Sequence, residues 1–87
     1  MKVIFSEKAW EEYQEWQAED KKTLVKINEL VKSIQRDGFM NGIGKPKVLS
    51  HSKEYSRKID DANRLVYAGD KDRNLVITSC KGHYDDK

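Results

Sequence analysis

An imidazole and a phenol stand side by side near the end of the chain, at His83-Tyr84. Upstream, Ser56-Arg57-Lys58-Ile59 and Asn63-Arg64-Leu65-Val66-Tyr67 bring permanent cations into the same third of the sequence. Histidine exchanges a proton near neutral pH without assistance. Guanidinium and ammonium groups stabilise the negative charge that builds on a phosphorus under attack. A proton carrier beside fixed cations is what cleavage of a phosphodiester needs. The charge distribution points the same way. Residues 45–58 carry Lys45, Lys47, Lys53, Arg57 and Lys58 against Glu54, a balance of +4, while residues 1–20 carry six carboxylates against two lysines, a balance of −4. The net charge is only +2, so the basic segment, and not the whole surface, is the candidate polyanion site.

These residues need a scaffold. Met1 to Phe5 reads as a short strand with Val3 and Phe5 on one face. Ser6 is an N-cap with acidic Glu7 in the first turn, and Trp10, Tyr13, Trp16 and Gln17 recur at helical spacing, predicting a helix over 7–18. Asp20 caps a second helix over 21–36, whose stripe is Leu24, Ile27, Leu30, Val31 and Ile34. Asp37-Gly38 ends it. Residues 38–54 hold Gly38, Gly42, Gly44 and the only proline, Pro46, and read as a loop of functional length. Three strand-like runs follow at about 55–60, 63–69 and 74–80, with turns at Asp60-Asp61 and over 69–74. The predicted class is α+β: a strand, two helices, then an antiparallel three-stranded meander, with Trp10, Leu24, Ile27, Leu30, Leu65, Tyr67 and Ile77 buried.

Composition narrows the function classes. The 87 residues make one domain, 1–87, with a thin core, since apolar and charged residues are each 37%. No apolar run is long enough to span a bilayer, no secretory leader is visible, and Cys80 is the only cysteine, so the expectation is a cytoplasmic protein without membrane contact. Cys80 lies in a strand-like run and reads as a small buried hydrophobe rather than a nucleophile. His51 and His83 have no second thiol to complete a zinc site. Gly42-Ile43-Gly44-Lys45-Pro46 lacks the spacing of a phosphate-binding loop. No serine sits in a nucleophile elbow.

Several segments in order carry a family resemblance: Phe5-Ser6-Glu7-Lys8-Ala9-Trp10, Trp16-Gln17, Asp20-Lys21-Lys22, Lys26-Ile27-Asn28-Glu29-Leu30, Gly42-Ile43-Gly44-Lys45-Pro46, Tyr55-Ser56-Arg57-Lys58-Ile59, Arg64-Leu65-Val66-Tyr67 and His83-Tyr84. On these the chain resembles the RelE/ParE superfamily of toxins, and within it the YoeB/Txe branch. The resemblance implies a RelE-like β-α-α-β-β-β fold, two helices packed on a mainly antiparallel twisted sheet. It implies a ribosome-dependent mRNA endonuclease that uses no cofactor, works at the ribosome A site and is held inactive by a YefM-like antitoxin. A homodimer stays open. The departures from the branch cluster in its site. Where its members carry a glutamate that acts as general base, this chain has Lys47. Its usual arginine pair is Arg57-Lys58, its acidic residue before the His-Arg pair is Ala62, and the histidine of that pair is Asn63. The segment from His51 to Glu54 is about two residues shorter than the branch pattern.

By this resemblance His83 is the general acid, or the acid–base partner, of attack by the RNA's own 2′-hydroxyl. Arg64 grips the scissile phosphate in bidentate fashion. Tyr84 orients or stacks on a base. Lys45, Arg57 and Lys58 bind RNA. Lys47 stands where the base belongs, and can serve as one only if neighbouring cations favour its neutral form. The residues alone leave other readings open: His83 as an exposed terminal imidazole, and Arg64 paired with Asp60 or Asp61 along a strand. Two other functions also stay open, a catalytically impaired decoy that binds antitoxin and a ParE-like gyrase poison. The discriminating geometry is whether Lys47, Lys58, Arg64 and His83 converge on one phosphate-sized site.

Overall fold

Capping side chains decide where the helices begin and end. In the computed structural model, which describes residues 1–49 and 53–83, strand β1 (Val3–Phe5) runs into helix α1 (Glu7–Glu19) through Ser6. The Ser6 hydroxyl oxygen accepts from Ala9 N at 3.1 Å and its proton goes to the Thr78 carbonyl at 3.1 Å. The cap therefore also fastens α1 to the sheet. Asp20 serves two helices. Its N–H donates to Trp16 O at 2.8 Å, closing α1. Its carboxylate accepts from Lys22 N, Thr23 N and the Thr23 hydroxyl, opening α2 (Lys21–Asp37). These bonds, the Thr23 hydroxyl first, hold the Asp20 carboxyl below the ordinary carboxylate range. Gly38, at φ +95°, ends α2 with its N–H on Ile34 O.

The remaining elements are β2 (Lys47–Val48), β3 (Tyr55–Lys58), β4 (Arg64–Gly69) and β5 (Leu75–Ser79). They form one five-stranded sheet in the order β1-β5-β4-β3-β2. β1 lies parallel to β5, and every other pairing is antiparallel. Both helices pack on one face, where Ile27, Leu30 and Ile34 meet Leu65, Tyr67, Leu75 and Ile77, each fully buried. Burying an aliphatic side chain of this size contributes about 1.5–3 kcal/mol, so this layer supplies much of the cohesion of a small domain. Among the described residues, no helix is long and apolar enough to cross a membrane.

The predicted helices and meander are present with ends shifted by a residue or two, and three expectations are corrected. Residues 38–54 are not all loop: Lys47 and Val48 pair with Ser56 and Tyr55 as an edge strand. Trp10 is not in the core but 49% exposed, packed edge-on against Phe5 and stacked on Tyr13. Leu24 is half-buried. His51 and Tyr84 lie outside the described residues.

Candidate functional site

Residues directly opposite each other on adjacent strands share a face, and faces alternate along a strand. Arg57 and Leu65 are opposite, as are Tyr55 and Tyr67, and these point toward the helices. The alternate set therefore lies on the other face: Ser56 opposite Val66, Lys58 opposite Arg64, and Lys47 opposite Ser56. Paired residues of this kind sit roughly 5 Å apart and diagonal ones roughly 7–8 Å, which puts Lys47 within side-chain reach of Lys58. Ser56 and Val66 are buried on this face, while Lys47 is exposed and Lys58 and Arg64 are half-buried around them.

Two glycines bring Lys45 to the same end. Gly42 and Gly44 take φ +104° and +88°. A Cβ on Gly42 would meet the Ser33 hydroxyl, and one on Gly44 would lie 2.6 Å from Leu30 Cδ2. No other residue fits either position. The turn then delivers Gly44 O to Lys58 N at 2.7 Å, leaving exposed Lys45 beside Lys58. The Lys58 ammonium pairs with Asp61 at 2.8 Å, and this hydrogen bond holds the Asp61 carboxyl below its ordinary range. Asp61's side chain is 98% exposed, so water screens the pair and an incoming phosphate can exchange for it.

Arg64 is half-buried and forms no ion pair among the described residues. The strand pairings that its sequence context offered are otherwise engaged. Asp60 accepts from Ala62 N, Asn63 N and the Asn63 side-chain amide, and Asp61 takes Lys58.

The segment leading to His83 is anchored from two sides. On the helix side, Trp16 Nε1 donates to Cys80 O at 2.8 Å and Cys80 N donates to Glu12 Oε1 at 2.7 Å. Lys81 bridges Glu15 and Glu19 at 2.7 and 3.0 Å, with its ammonium 5.0 Å from the Trp16 ring centre. Cys80 is fully buried, and burial first, then Glu12 and Glu15, pushes its thiol up to about 12, so it is inert as a nucleophile. On the sheet side, Gly82 N donates to Asn63 Oδ1 at 2.8 Å and Arg64 N donates to Gly82 O at 3.0 Å. His83 follows immediately and is exposed.

Arg57 requires a correction. Its side chain is fully buried on the helix face. Nε donates to the Tyr67 hydroxyl at 2.9 Å, and the two terminal nitrogens reach Ser33 Oγ, Ile43 O, Gly38 O and Asn41 O at 2.6–3.0 Å, with Phe39 O at 3.4 Å. No part of it is left to meet RNA. It ties the 38–43 turn to the end of α2 and so shapes the loop that carries Lys45 and Lys47. Four expected residues, Lys45, Lys47, Lys58 and Arg64, thus share one end or face of the sheet, with His83 beside Arg64. Arg57 belongs to the interior, and Tyr84 is outside the described residues. The anchors Glu12, Trp16 and Lys81 had no place in the sequence-based site, and Asn63 entered it only as a departure at the branch's histidine position. A separate groove of about 650 Å³, lined by Met1, Phe39, Val48, Lys53, Tyr55 and Arg73 among others, lies at the far end of β4 from Arg64.

Known proteins match this chain over nearly its whole length. A family model described as the YoeB-like toxin of bacterial type II toxin–antitoxin systems matches residues 5–84. Toxin YoeB of Escherichia coli strain K12 is 45% identical over 86 residues, covering 97% of this chain and all of its own. Among solved structures, a YoeB dimer from Staphylococcus aureus superposes with TM-score 0.90 at 48% identity, and the toxin of a heterotetrameric YoeB–YefM complex from the same organism with 0.88 at 46%. Each comparison covers 97% of this chain and 98% of the other.

Proposed function

Since the chain belongs to the YoeB-like toxins of bacterial type II toxin–antitoxin systems, we propose that it inhibits translation by cutting mRNA at the ribosome A site without a metal or other cofactor. The RNA supplies its own nucleophile. The 2′-hydroxyl oxygen attacks the adjacent phosphorus, the bond from phosphorus to the 5′-oxygen breaks, and the products are a 2′,3′-cyclic phosphate and a 5′-hydroxyl. Arg64 holds the non-bridging oxygens and is stabilising in proportion to the charge they gain. Lys58 and Lys45 add positive potential. His83 gives its proton to the departing 5′-oxygen. Tyr84 orients or stacks on a base. The observation that carries this reading is the register that sets Lys47, Lys58 and Arg64 on one sheet face, with His83 tethered to Arg64 through Gly82.

Lys47 sets the rate. As a neutral amine it accepts the 2′-hydroxyl proton; as an ammonium it can only clamp phosphate. Loss of one general base costs roughly 10²–10⁴ in rate, so the enzyme is slower than relatives with a carboxylate there. That same residue favours one second reading, an impaired homologue that titrates antitoxin. The partner in either case is a YefM-like antitoxin in the bacterial cytoplasm, whose acidic segment covers the basic 45–58 stretch, and the toxin itself can pair as a homodimer. Single-turnover cleavage on programmed ribosomes tests the assignment. Arg64→Ala should slow the chemical step by about 3 kcal/mol of lost transition-state stabilisation while leaving ribosome binding nearly unchanged. Equal losses in binding and chemistry would assign Arg64 to docking instead.

A further inference from the structure

We infer that Asn63 is a positioning residue that fixes His83 beside Arg64, an inference that rests on the reading of His83 as proton donor. The need for it comes from Gly82. Glycine is the most permissive residue in backbone rotation, and Gly82 sits at φ +88° directly before His83, with no atom of the described residues near the place a Cβ would take. Nothing in the shape of Gly82 itself fixes the path of the backbone into His83.

The constraint comes from outside. The torsions of Gly82 are rotations between the peptide planes on either side of it. The Lys81–Gly82 plane is pinned by its N–H on Asn63 Oδ1 at 2.8 Å. The Gly82–His83 plane is pinned by its carbonyl on Arg64 N at 3.0 Å. Holding both planes fixes both torsions and hence the position of the His83 Cα. Arg64 contributes only its backbone, which every substitution except proline keeps. The Asn63 side chain is the sequence-dependent half of the clasp.

Asn63 is itself oriented. Its amide nitrogen donates to both Asp60 carboxylate oxygens, at 3.0 and 3.2 Å, which leaves its oxygen facing Gly82. Its backbone N–H also meets Asp60, and its carbonyl accepts from Ile59 N and Asp60 N. The turn from β3 to β4 therefore presents a single acceptor to the chain end. An imidazole can play the same part, accepting at one nitrogen and donating to Asp60 from the other. Alanine can do neither.

Two readouts on the full-length toxin decide the matter. In Asn63→Ala the Gly82 amide should exchange with solvent at least about 10-fold faster, while global stability is kept, because the bond protecting it is local. Single-turnover cleavage on programmed ribosomes should fall roughly 10–100-fold with ribosome affinity unchanged, the scale expected for misplacing a reacting group by about 1 Å. In a His83→Ala background the same substitution should cost less than about twofold, since residues acting as one unit are not additive. Asn63→His should recover most of the rate. Unchanged Gly82 exchange would overturn the inference, and so would losses that multiply with His83→Ala. If the parent protein cuts no mRNA, the nuclease reading falls by itself, and the Gly82 exchange rate alone then decides whether the clasp holds the chain end.

Discussion

Replacing Arg57 with alanine should cost the fold about 3–5 kcal/mol, the upper range for single substitutions, reached when a buried hydrogen-bond network is broken. The guanidinium bonds the Tyr67 hydroxyl, the Ser33 hydroxyl and the carbonyls of Gly38, Asn41 and Ile43, all at 3.0 Å or less. Alanine strips these partners together, and a buried carbonyl left unmatched costs roughly 1–3 kcal/mol. If the 38–43 turn opens so that water reaches them, its ordering is lost instead. A domain of this size has about 5–15 kcal/mol in total, so the variant sits near the folding threshold. At about 4–8 °C per kcal/mol, Tm should drop by 12 °C or more. Arg57→Lys keeps the charge, but three donors on one atom cannot span from Tyr67 to Asn41, so a loss of roughly 2 kcal/mol should remain, since bonds to charged groups contribute about 1.5–3 kcal/mol each. Urea titration of the purified toxin measures both. Stability within about 1 kcal/mol of the parent for Arg57→Ala would refute the burial argument. A stable variant with weakened ribosome binding would return Arg57 to the RNA contacts.

Trp16→Phe keeps most of the packing of a residue only 9% exposed but removes the donor to Cys80 O. It should cost about 1–3 kcal/mol and raise the amide exchange of Lys81 and Gly82; an exchange pattern identical to the parent would show that the helix does not anchor the chain end. Acid should weaken the fold. Hydrogen bonds, from the Thr23 hydroxyl to Asp20, from Arg36 to Asp37, from Lys58 to Asp61 and from Asn74 to Asp70, hold these carboxyls below their ordinary range. Each binds its proton less tightly folded than unfolded. The stabilisation is therefore complete above the unfolded value of about 3.9 and fades as pH falls through the lower folded values. The urea midpoint should drop below about pH 4, and a midpoint that rises on acidification would contradict it.

The second helix was legible because its caps and its apolar stripe agree, and the meander because turn residues separate runs rich in β-branched and aromatic side chains. Trp10 was misplaced by counting spacings without following the angle. At about 100° per residue, Trp10 and Trp16 lie roughly 120° apart, whereas Ala9 and Trp16, seven apart, nearly coincide. Ala9 and Trp16 are the buried residues of α1. β2 was hidden because two residues are too few for alternation to register, and Gly44 and Pro46 precede them. The position of Arg57 was recoverable in principle. Tyr55, Arg57 and Ile59 share one side of their strand run and Ser56 and Lys58 the other, so alternation already places Arg57 with the apolar set. No local pattern announces Asn63 meeting Gly82 or Trp16 meeting Cys80, because those bonds join residues far apart in sequence.

If Lys47, Lys58, Arg64 and His83 form the proposed nuclease site, the RNA they leave behind shows it. The most direct test maps RNA ends after purified toxin acts on ribosomes programmed with a defined message, for the parent, Arg64→Ala and Lys47→Glu. The expected result is A-site cleavage leaving a 2′,3′-cyclic or 3′-phosphate and a 5′-hydroxyl, with loss of cutting in Arg64→Ala. If Lys47 is only a poor substitute for a carboxylate base, Lys47→Glu should raise the rate and shift its pH profile downward. If Lys47 is itself the working base or phosphate clamp, the same change should abolish cutting. Intact message with both the parent and Lys47→Glu would contradict the nuclease account and leave antitoxin binding as the function of this surface.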